Sequence, residues 1–347
     1  MIVYDCTLRD GMQGEGMSLS AEEKLRVAHV LDGLGVHLIE AGFPASNPKE
    51  EAFFALLAAE SFTHAQIAAF GMTRRRGLAA DEDPALRLLA DSFAPVTTLV
   101  GKSWGLHVEK VVKVDRDENL RMIAESVAFL VAQGKRVFYD AEHFFDGYAD
   151  DPAYALRCAR AAAETGAEWV TPCDINGGWM PHEIAAATRA VVAELGVGGV
   201  GIGIHCHDDA GCGVANTLAA VREGAGLVQG TMNGYGERCG NANLVSIIPN
   251  LQLKMGHTVL PSHALPLLSE TAHWLDELLN FTPDPNQPYV GKNAFAHKGG
   301  LHVAGINADP ATFEHVDPAA VGNDRAILMS ELAGKGSVLA RTDVDDA

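Results

Sequence analysis

The chain's 347 residues, 48% of them hydrophobic, suffice for one large core and a smaller second unit. Its 45 acidic against 26 basic residues give a formal charge of −19, which argues against nucleic acid or an anionic membrane as a partner and requires local cations wherever a small anion binds. No basic stretch and apolar run mark a signal peptide, no segment holds 18 uninterrupted apolar residues, and the six cysteines form no CxxC pair, so a soluble cytoplasmic protein with buried reduced thiols is expected.

In chain order, short β-rich runs alternate with longer helical patterns, the signal of parallel βα units. Strands are predicted at 2–6, 37–41, 66–71, 96–100, 136–141, 169–173, 201–206 and 227–232. Between them lie amphipathic stretches such as 20–34, where Ser20 and Glu23 form a capping box and Leu25, Ala28, Leu31 and Leu34 recur at helical spacing. Segments 119–133, 152–164, 182–194 and 216–223 read the same way. Eight such units in roughly 235 residues fit a (β/α)₈ TIM barrel. A doubly wound sheet is the alternative, but it would open with a glycine-rich phosphate turn, and the first strand here runs into Thr7-Leu8-Arg9-Asp10-Gly11.

Past residue 240 the pattern turns helical, with candidates at 243–255 and 265–279. A proline-rich linker at 282–288, expected to be extended and stiff, leads to Phe295-Ala296-His297-Lys298-Gly299-Gly300-Leu301-His302. The last residues, 342–347, are polar and expected to fray. The expected organisation is therefore a barrel over 1–255, then a helical extension, the linker and a small, mainly helical C-terminal subdomain over 256–347.

The chemistry is expected where the seventh strand ends in His205-Cys206-His207. Residues two apart on a strand face the same side, and barrel active sites lie at the C-terminal ends of the strands. Two polar histidines satisfied by neighbours are the plain alternative. Barrel closure brings the ends of strands seven, eight and one to one wall of the mouth, so Asp10, His205, His207 and Asn241 can meet there. Two imidazoles, a carboxylate and an amide oxygen suit Zn²⁺, Mn²⁺, Mg²⁺ or Co²⁺ with positions left open for substrate. On ligand type alone a non-haem Fe(II) oxygenase uses a similar set, although the βα repeat counts against the all-β fold usual for one. Arg9, beside Asp10, is placed to stabilise a developing oxyanion; otherwise it is a surface arginine. Glu142 closes the fifth strand and would look across the mouth, or else is a solvated loop acid. The run from Gly234 to Asn243 has the glycines of a loop that brings backbone close to a ligand.

Together, Asp5-x-Thr7-Leu8-Arg9-Asp10-Gly11-x-Gln13, Glu40-x-Gly42-x-Pro44, His205-x-His207-Asp208, Gly236-Glu237-Arg238-x-Gly240-Asn241 and His297-x-Gly299-Gly300-x-His302 resemble the acyltransferase branch of the barrel metallolyase superfamily, which includes 2-isopropylmalate, homocitrate and citramalate synthases. Ser46-Asn47-Pro48-Lys49, the run from Ala141 to Tyr148, the run from Asn233 to Leu244 and Gln287-Pro288-Tyr289-Val290-Gly291 look most like one type of citramalate synthase. The resemblance extends from Met1 to about Gly334.

It implies that Asp10, His205, His207 and Asn241 hold a divalent metal, and that acetyl-CoA condenses with a small 2-oxo acid, pyruvate first, in the biosynthesis of an amino acid such as isoleucine. Arg9, Glu142 and His302 would be catalytic. Arg9, Gln13, Glu142 and position 175 would bind substrate, and His302 would reach a neighbouring subunit's site in a homodimer. Three departures stand out. Ile175 replaces the usual threonine, removing a hydroxyl whose hydrogen bond to a carboxylate is worth roughly 1.5–3 kcal/mol, so another 2-oxo acid remains open. Asp208 replaces the usual asparagine and adds negative charge near the metal set. Such synthases commonly continue into a regulatory domain, which is not expected here. A 3-hydroxy-3-methylglutaryl-CoA lyase-type enzyme shares the barrel, the Arg-Asp pair and the HxH, while the linker and the segment around His302 favour the synthases. A catalytically weakened binding protein is the remaining alternative, motivated by Ile175.

Overall fold

The computed structural model describes residues 1–44 and 46–328; the polar tail at 342–347 and the end of the resemblance near Gly334 lie outside them. The chain divides into two compact units, Met1–Ile247 and Ile248–Ala347. In the first, β1 (Ile2–Asp5), β2 (Leu38–Gly42), β3 (Gln66–Met72), β4 (Val96–Lys102), β5 (Arg136–Glu142), β6 (Trp169–Asp174), β7 (Gly201–Cys206) and β8 (Leu227–Gly230) form a closed, all-parallel barrel in sequence order. Closure is made by β8 on β1, with Val3 opposite Val228 and Tyr4 opposite Gln229. All eight expected strands are present.

The helices between them follow local sequence signals. Ser20 and Glu23 exchange the reciprocal hydrogen bonds of a capping box at the start of Ala21–Leu34, and Gly35 ends that helix at φ +89°, which glycine adopts without a Cβ penalty. The helix Pro48–Ala58, which the apolar pattern does not announce, is started by Asn47, whose Oδ1 accepts from Lys49 N and Glu50 N with proline in the first turn. Inside the barrel, Tyr4, Cys6, Leu38, Ala68, Val96, Phe138 and Leu227 form a buried cluster against which Ile2 and Trp169 pack. Burying Leu38, Val96, Phe138 and Leu227 contributes about 1.5–3 kcal/mol each. This layer makes the barrel a filled core rather than a pore.

Four cysteines are buried as expected, but Cys212 is half-buried and Cys239 exposed, because both sit in loops and not on strands. Asp208 spends its charge locally: its Oδ1 accepts from Gly213 N at 2.5 Å, at the start of the helix Gly213–Arg222.

The second unit is mainly helical, with helices Leu268–Leu278 and Gly300–Ala308 and a two-stranded parallel ladder of Ala296–His297 with Ala326–Ile327. Its proline-rich segment is not extended. Gln287 N bonds Asp284 O, Gly291 N bonds Gln287 O, and Asp284 Oδ1 accepts from Asn286 N, so consecutive turns fold it back. The Asp284 side chain offers the backbone a local partner, and this overrides the proline bias towards extension. Among the described residues, no helix is long and apolar enough to cross a membrane.

Candidate active site

Tyr4, Glu40, Thr98, Asp140, His205 and Gln229 are buried polar residues on strands otherwise rich in apolar side chains. Burial of such groups is tolerable only when they are partnered, and their partners form a connected network beneath the C-terminal mouth.

His205 and His207, one strand period apart, bring their ring centroids to 5.3 Å. His205 Nε2 lies 3.3 Å and His207 Nε2 3.8 Å from Asp10 Oδ2. The ligand-capable atoms of the three residues all fall within 4.8 Å of one another, and all three side chains are buried. Asn241 joins them with Nδ2 at 2.8 Å from Asp10 Oδ2 and 3.4 Å from His205 Nε2. As placed, its amide nitrogen faces the cluster, and its buried Oδ1 has no hydrogen-bond partner. Rotating the amide by half a turn presents the oxygen instead, which is the orientation that ligates a cation.

The loop after β8 explains how Asn241 gets there. Asp208 N bonds Gly240 O, Asn241 N bonds Gly234 O, and His207 and Asn241 form an antiparallel bridge. Gly236, at φ +157°, leaves no room for a side chain against Asn241, and Gly240, at φ +91°, none against Gly234 O. These glycines bring the loop backbone close to Asn241.

Arg9 is held on three sides. Its Nε meets Glu40 Oε2 at 2.5 Å, its guanidinium carbon sits 3.9 Å over the Phe70 ring, and Nη1 is 3.3 Å from Asp10 Oδ1. Glu40 also accepts from Tyr4 OH at 2.8 Å. Burial penalises the Asp10 carboxylate, but Arg9, His205 and His207 outweigh it and hold its pKa far below the usual range. Burial opposes charge on both imidazoles. For His205 the hydrogen bond to Asp10 prevails and the pKa rises; for His207 burial, with His205 alongside, pushes it down to about 4. Asp140, buried and beside Glu40, is raised to about 7.

Arg9, Asp10, His205 and His207 line a cavity of about 300 Å³ with Gln13, Glu142, Ile175, Asp140, Cys173 and Glu237, closed on one side by Phe43, Phe70, Met72 and Val100. Glu142 does not stand free in it; its carboxylate pairs with Lys102 on the adjacent β4. Ile175 presents its side chain to the cavity while its carbonyl accepts from Arg238 Nη2 at 2.6 Å, and Arg238 is itself clamped by Asp209. Arg238 adopts φ +57°, an uncommon backbone for a non-glycine residue. His302 belongs to the second unit, where its ring stacks on Phe313 at 4.3 Å.

Phe43, Phe70, Met72 and Val100 are shared with a second, larger cavity of about 890 Å³ over the loops after β3 and β4. Arg75, Arg76 and Lys113 line it, and none of their side-chain cations has a carboxylate partner among the described residues. Glu40, Phe70, Asp140, Gln229 and this cationic wall carry no spacing signal. The one hint was a charged or amide residue inside an apolar strand, as in Leu38-Ile39-Glu40-Ala41-Gly42 and Leu227-Val228-Gln229-Gly230.

Comparison with known proteins agrees with this geometry. Residues 1–271 match the HMGL-like family and residues 289–345 the homocitrate synthase post-HMGL domain-like family. The chain is 47% identical over 347 residues to the (R)-citramalate synthase of Synechocystis and 50% identical over 337 residues to that of Streptomyces coelicolor, covering 99% and 97% of itself but only 63% and 62% of those relatives. It is 38% identical to the homocitrate synthase of Methanopyrus kandleri, covering 99% of itself and 82% of that protein. Among solved structures, the hydroxymethylglutaryl-CoA lyase of Pseudomonas aeruginosa superposes with a TM-score of 0.67 at 18% identity, over 81% of this chain and 93% of the other, which speaks to the fold alone. With the barrel, the buried Asp-His-His cluster and a family match over residues 1–271, the chain belongs to the HMGL-like family.

Proposed function

We propose that the chain condenses acetyl-CoA with pyruvate to give citramalate and CoA. The observation that carries this reading is Arg9, pinned beside a buried Asp10-His205-His207 cluster on the wall of a small cavity that shares lining residues with a larger, cation-lined one. The (R)-citramalate synthases at 47% and 50% identity support it, as does the post-HMGL match, which points to the synthases rather than the lyases.

Asp10, His205, His207 and the rotated amide of Asn241 would hold a divalent cation, and the donor set fits one: buried, mixed N/O, with an orphaned amide oxygen beside it. Bound there, a cation would polarise the ketone of a chelating 2-oxo acid. Arg9, locked by Glu40 and Phe70, directs positive charge at the oxygen that becomes an alkoxide and needs no reorganisation to do so. Glu142, which lines the cavity and pairs with Lys102, would take a proton from the acetyl methyl group. The resulting enolate carbon attacks the ketone carbon, the alkoxide takes up a proton, and water cleaves the thioester to release CoA thiol. Arg75, Arg76 and Lys113 would receive the phosphates of CoA, with the exposed Met72 and Val111 beside its apolar arm. His302 would serve a partner subunit of a homodimer in proton transfer; it and Leu301, 80% exposed, begin the helix Gly300–Ala308.

Release of CoA thiol from acetyl-CoA, followed with a panel of 2-oxo acids in the presence and absence of a chelator, tests the proposal. Pyruvate should release thiol in a chelator-sensitive way, and Arg9→Gln should nearly abolish it. Release that survives Arg9→Gln at the wild-type rate, or that no 2-oxo acid supports, overturns the reading.

A further inference from the structure

An imidazole has two nitrogens, and what binds one decides what the other can do. His205 Nε2 faces Asp10, while Nδ1 faces the barrel interior, where Gln229 Oε1 lies at 2.9 Å. Gln229 sits directly across from His205 in the β7–β8 register and is fully buried. Its other end, Nε2, donates to Asp140 Oδ1 at 2.9 Å, and Asp140 comes from β5. A polar chain thus crosses the barrel from β5 through β8 to β7.

The chain has a direction. At pH 8.5, above the value of about 7 to which burial raises it, Asp140 is a carboxylate that only accepts hydrogen bonds, so it takes the amine end of the Gln229 amide and leaves the carbonyl end for His205. A carbonyl oxygen also only accepts, so Nδ1 of His205 must carry a hydrogen. Nε2, which faces the Asp10 carboxylate, is then the nitrogen left to ligate a cation that displaces its hydrogen. His207 has no such wiring: its Nδ1 is buried with no hydrogen-bond partner. The two histidines of the HxH pair are therefore not equivalent.

We propose that Gln229 is a positioning residue for the metal cluster: its amide, oriented by Asp140, keeps a proton on Nδ1 of His205 and so commits Nε2 to ligation. The inference rests on the reading that Asp10, His205 and His207 hold a cation. Metal-ligating histidines generally gain basicity and a fixed ring orientation from a partner on the far nitrogen, and removing that partner commonly weakens metal binding about 10–100-fold. Glutamine does this without adding charge to a barrel that already buries Glu40, Asp10 and Asp140.

The test uses the metal-free protein with ¹⁵N-labelled histidine at pH 8.5, comparing wild type, Gln229→Met and Gln229→Glu. In wild type, Nδ1 of His205 should be protonated. Gln229→Met, similar in size but lacking an acceptor, should shift the proton to Nε2 and raise the Kd for Zn²⁺ about tenfold, with Gln229→Glu restoring protonated Nδ1. Finding Nδ1 unprotonated in wild type overturns the proposal, as does a methionine variant with unchanged tautomer and unchanged Kd. Zn²⁺ binding that survives Asp10→Ala would sink the metal reading instead, and the tautomer spectrum would still judge Gln229 separately.

Discussion

Along β1, β7 and β8 the barrel mouth is lined by Asp10, His205, His207 and Asn241, none more than 4% exposed, whereas over the loops after β3 and β4 it opens on Met72 and Val111, 51% and 59% exposed. On the first wall polar groups are tied to one another across strands, with Arg9 locked between Glu40, Phe70 and Asp10. On the second, the side-chain cations of Arg75, Arg76 and Lys113 lack carboxylate partners among the described residues, in a chain of net charge −19. The contrast separates two tasks. Charge that develops during a reaction is best met by groups that cannot move, while a long, flexible anion is met by mobile cations over an apolar floor.

The largest expected effect belongs to the rigid wall. Arg9→Gln keeps a hydrogen bond to Glu40 but removes the fixed charge, and should lower kcat by about 10²–10³, the cost of one oxyanion-stabilising group. The Kd for Zn²⁺ should stay within about twofold, because Arg9 is not a ligand. A comparable fall in metal affinity would show that Arg9 acts through Asp10, and the division of labour would be wrong.

Titration sharpens the same contrast. Burial disfavours charge on His205, but the hydrogen bond to Asp10 prevails and raises its pKa, while burial depresses His207 to about 4. A cation must therefore displace a proton from His205 below its raised pKa, and none from His207 near neutrality. Apparent affinity for Zn²⁺ should weaken about tenfold per pH unit below the His205 pKa and level off above it. A slope of two protons, or none, in a chelator-competition titration from pH 5.5 to 8.5 would contradict the asymmetry.

Legibility in the sequence follows the same divide. The barrel was readable because eight apolar runs recur with helical spacers, and the Asp10, His205 and His207 meeting was readable because strand parity and barrel closure are geometric rules that need no coordinates. Gln229 and Asp140 were not, since nothing in Val228-Gln229-Gly230 or Tyr139-Asp140-Ala141 reports that β8 and β5 face each other across the interior. The arginine loop was missed for another reason: Arg74-Arg75-Arg76 reads as solvated charge, and only the structure separates Arg74, paired with Glu118 and Glu125, from Arg75 and Arg76, whose guanidinium groups meet no carboxylate among the described residues. The proline-rich segment is not extended because Asp284 accepts from Asn286 N and Gln287 N, turn bonds that composition does not report.

Ile175 lies between the two walls, half-buried and facing the small cavity. Ile175→Thr returns a hydroxyl where a substrate carboxylate would lie, and a hydrogen bond to a charged group is worth about 1.5 kcal/mol at the low end. KM for pyruvate should therefore fall about tenfold with little change in kcat. Because Arg238 holds the position-175 backbone through its carbonyl, the substitution should leave the loop in place. An unchanged or higher KM would mean that the carboxylate sits elsewhere and that this cavity favours a different 2-oxo acid.

The smallest effects belong to the open wall, and their pattern matters more than their size. Arg75→Ala, Arg76→Ala and Lys113→Ala each remove an exposed cation, and exposed charge interactions contribute about 0.2–1 kcal/mol. Each should raise KM for acetyl-CoA about two- to fivefold without touching kcat or the KM for pyruvate. Because the contribution is electrostatic and solvent-exposed, it should shrink as salt rises from 0.05 to 0.5 M, where the Debye length drops from about 14 to about 4 Å. Arg74→Ala should behave differently, losing stability through Glu118 and Glu125 while leaving the KM for acetyl-CoA in place. If Arg74→Ala instead raises that KM as much as its neighbours do, or if the three effects ignore salt, this wall does not meet the CoA phosphates, since contacts between solvent-exposed charges are screened by salt.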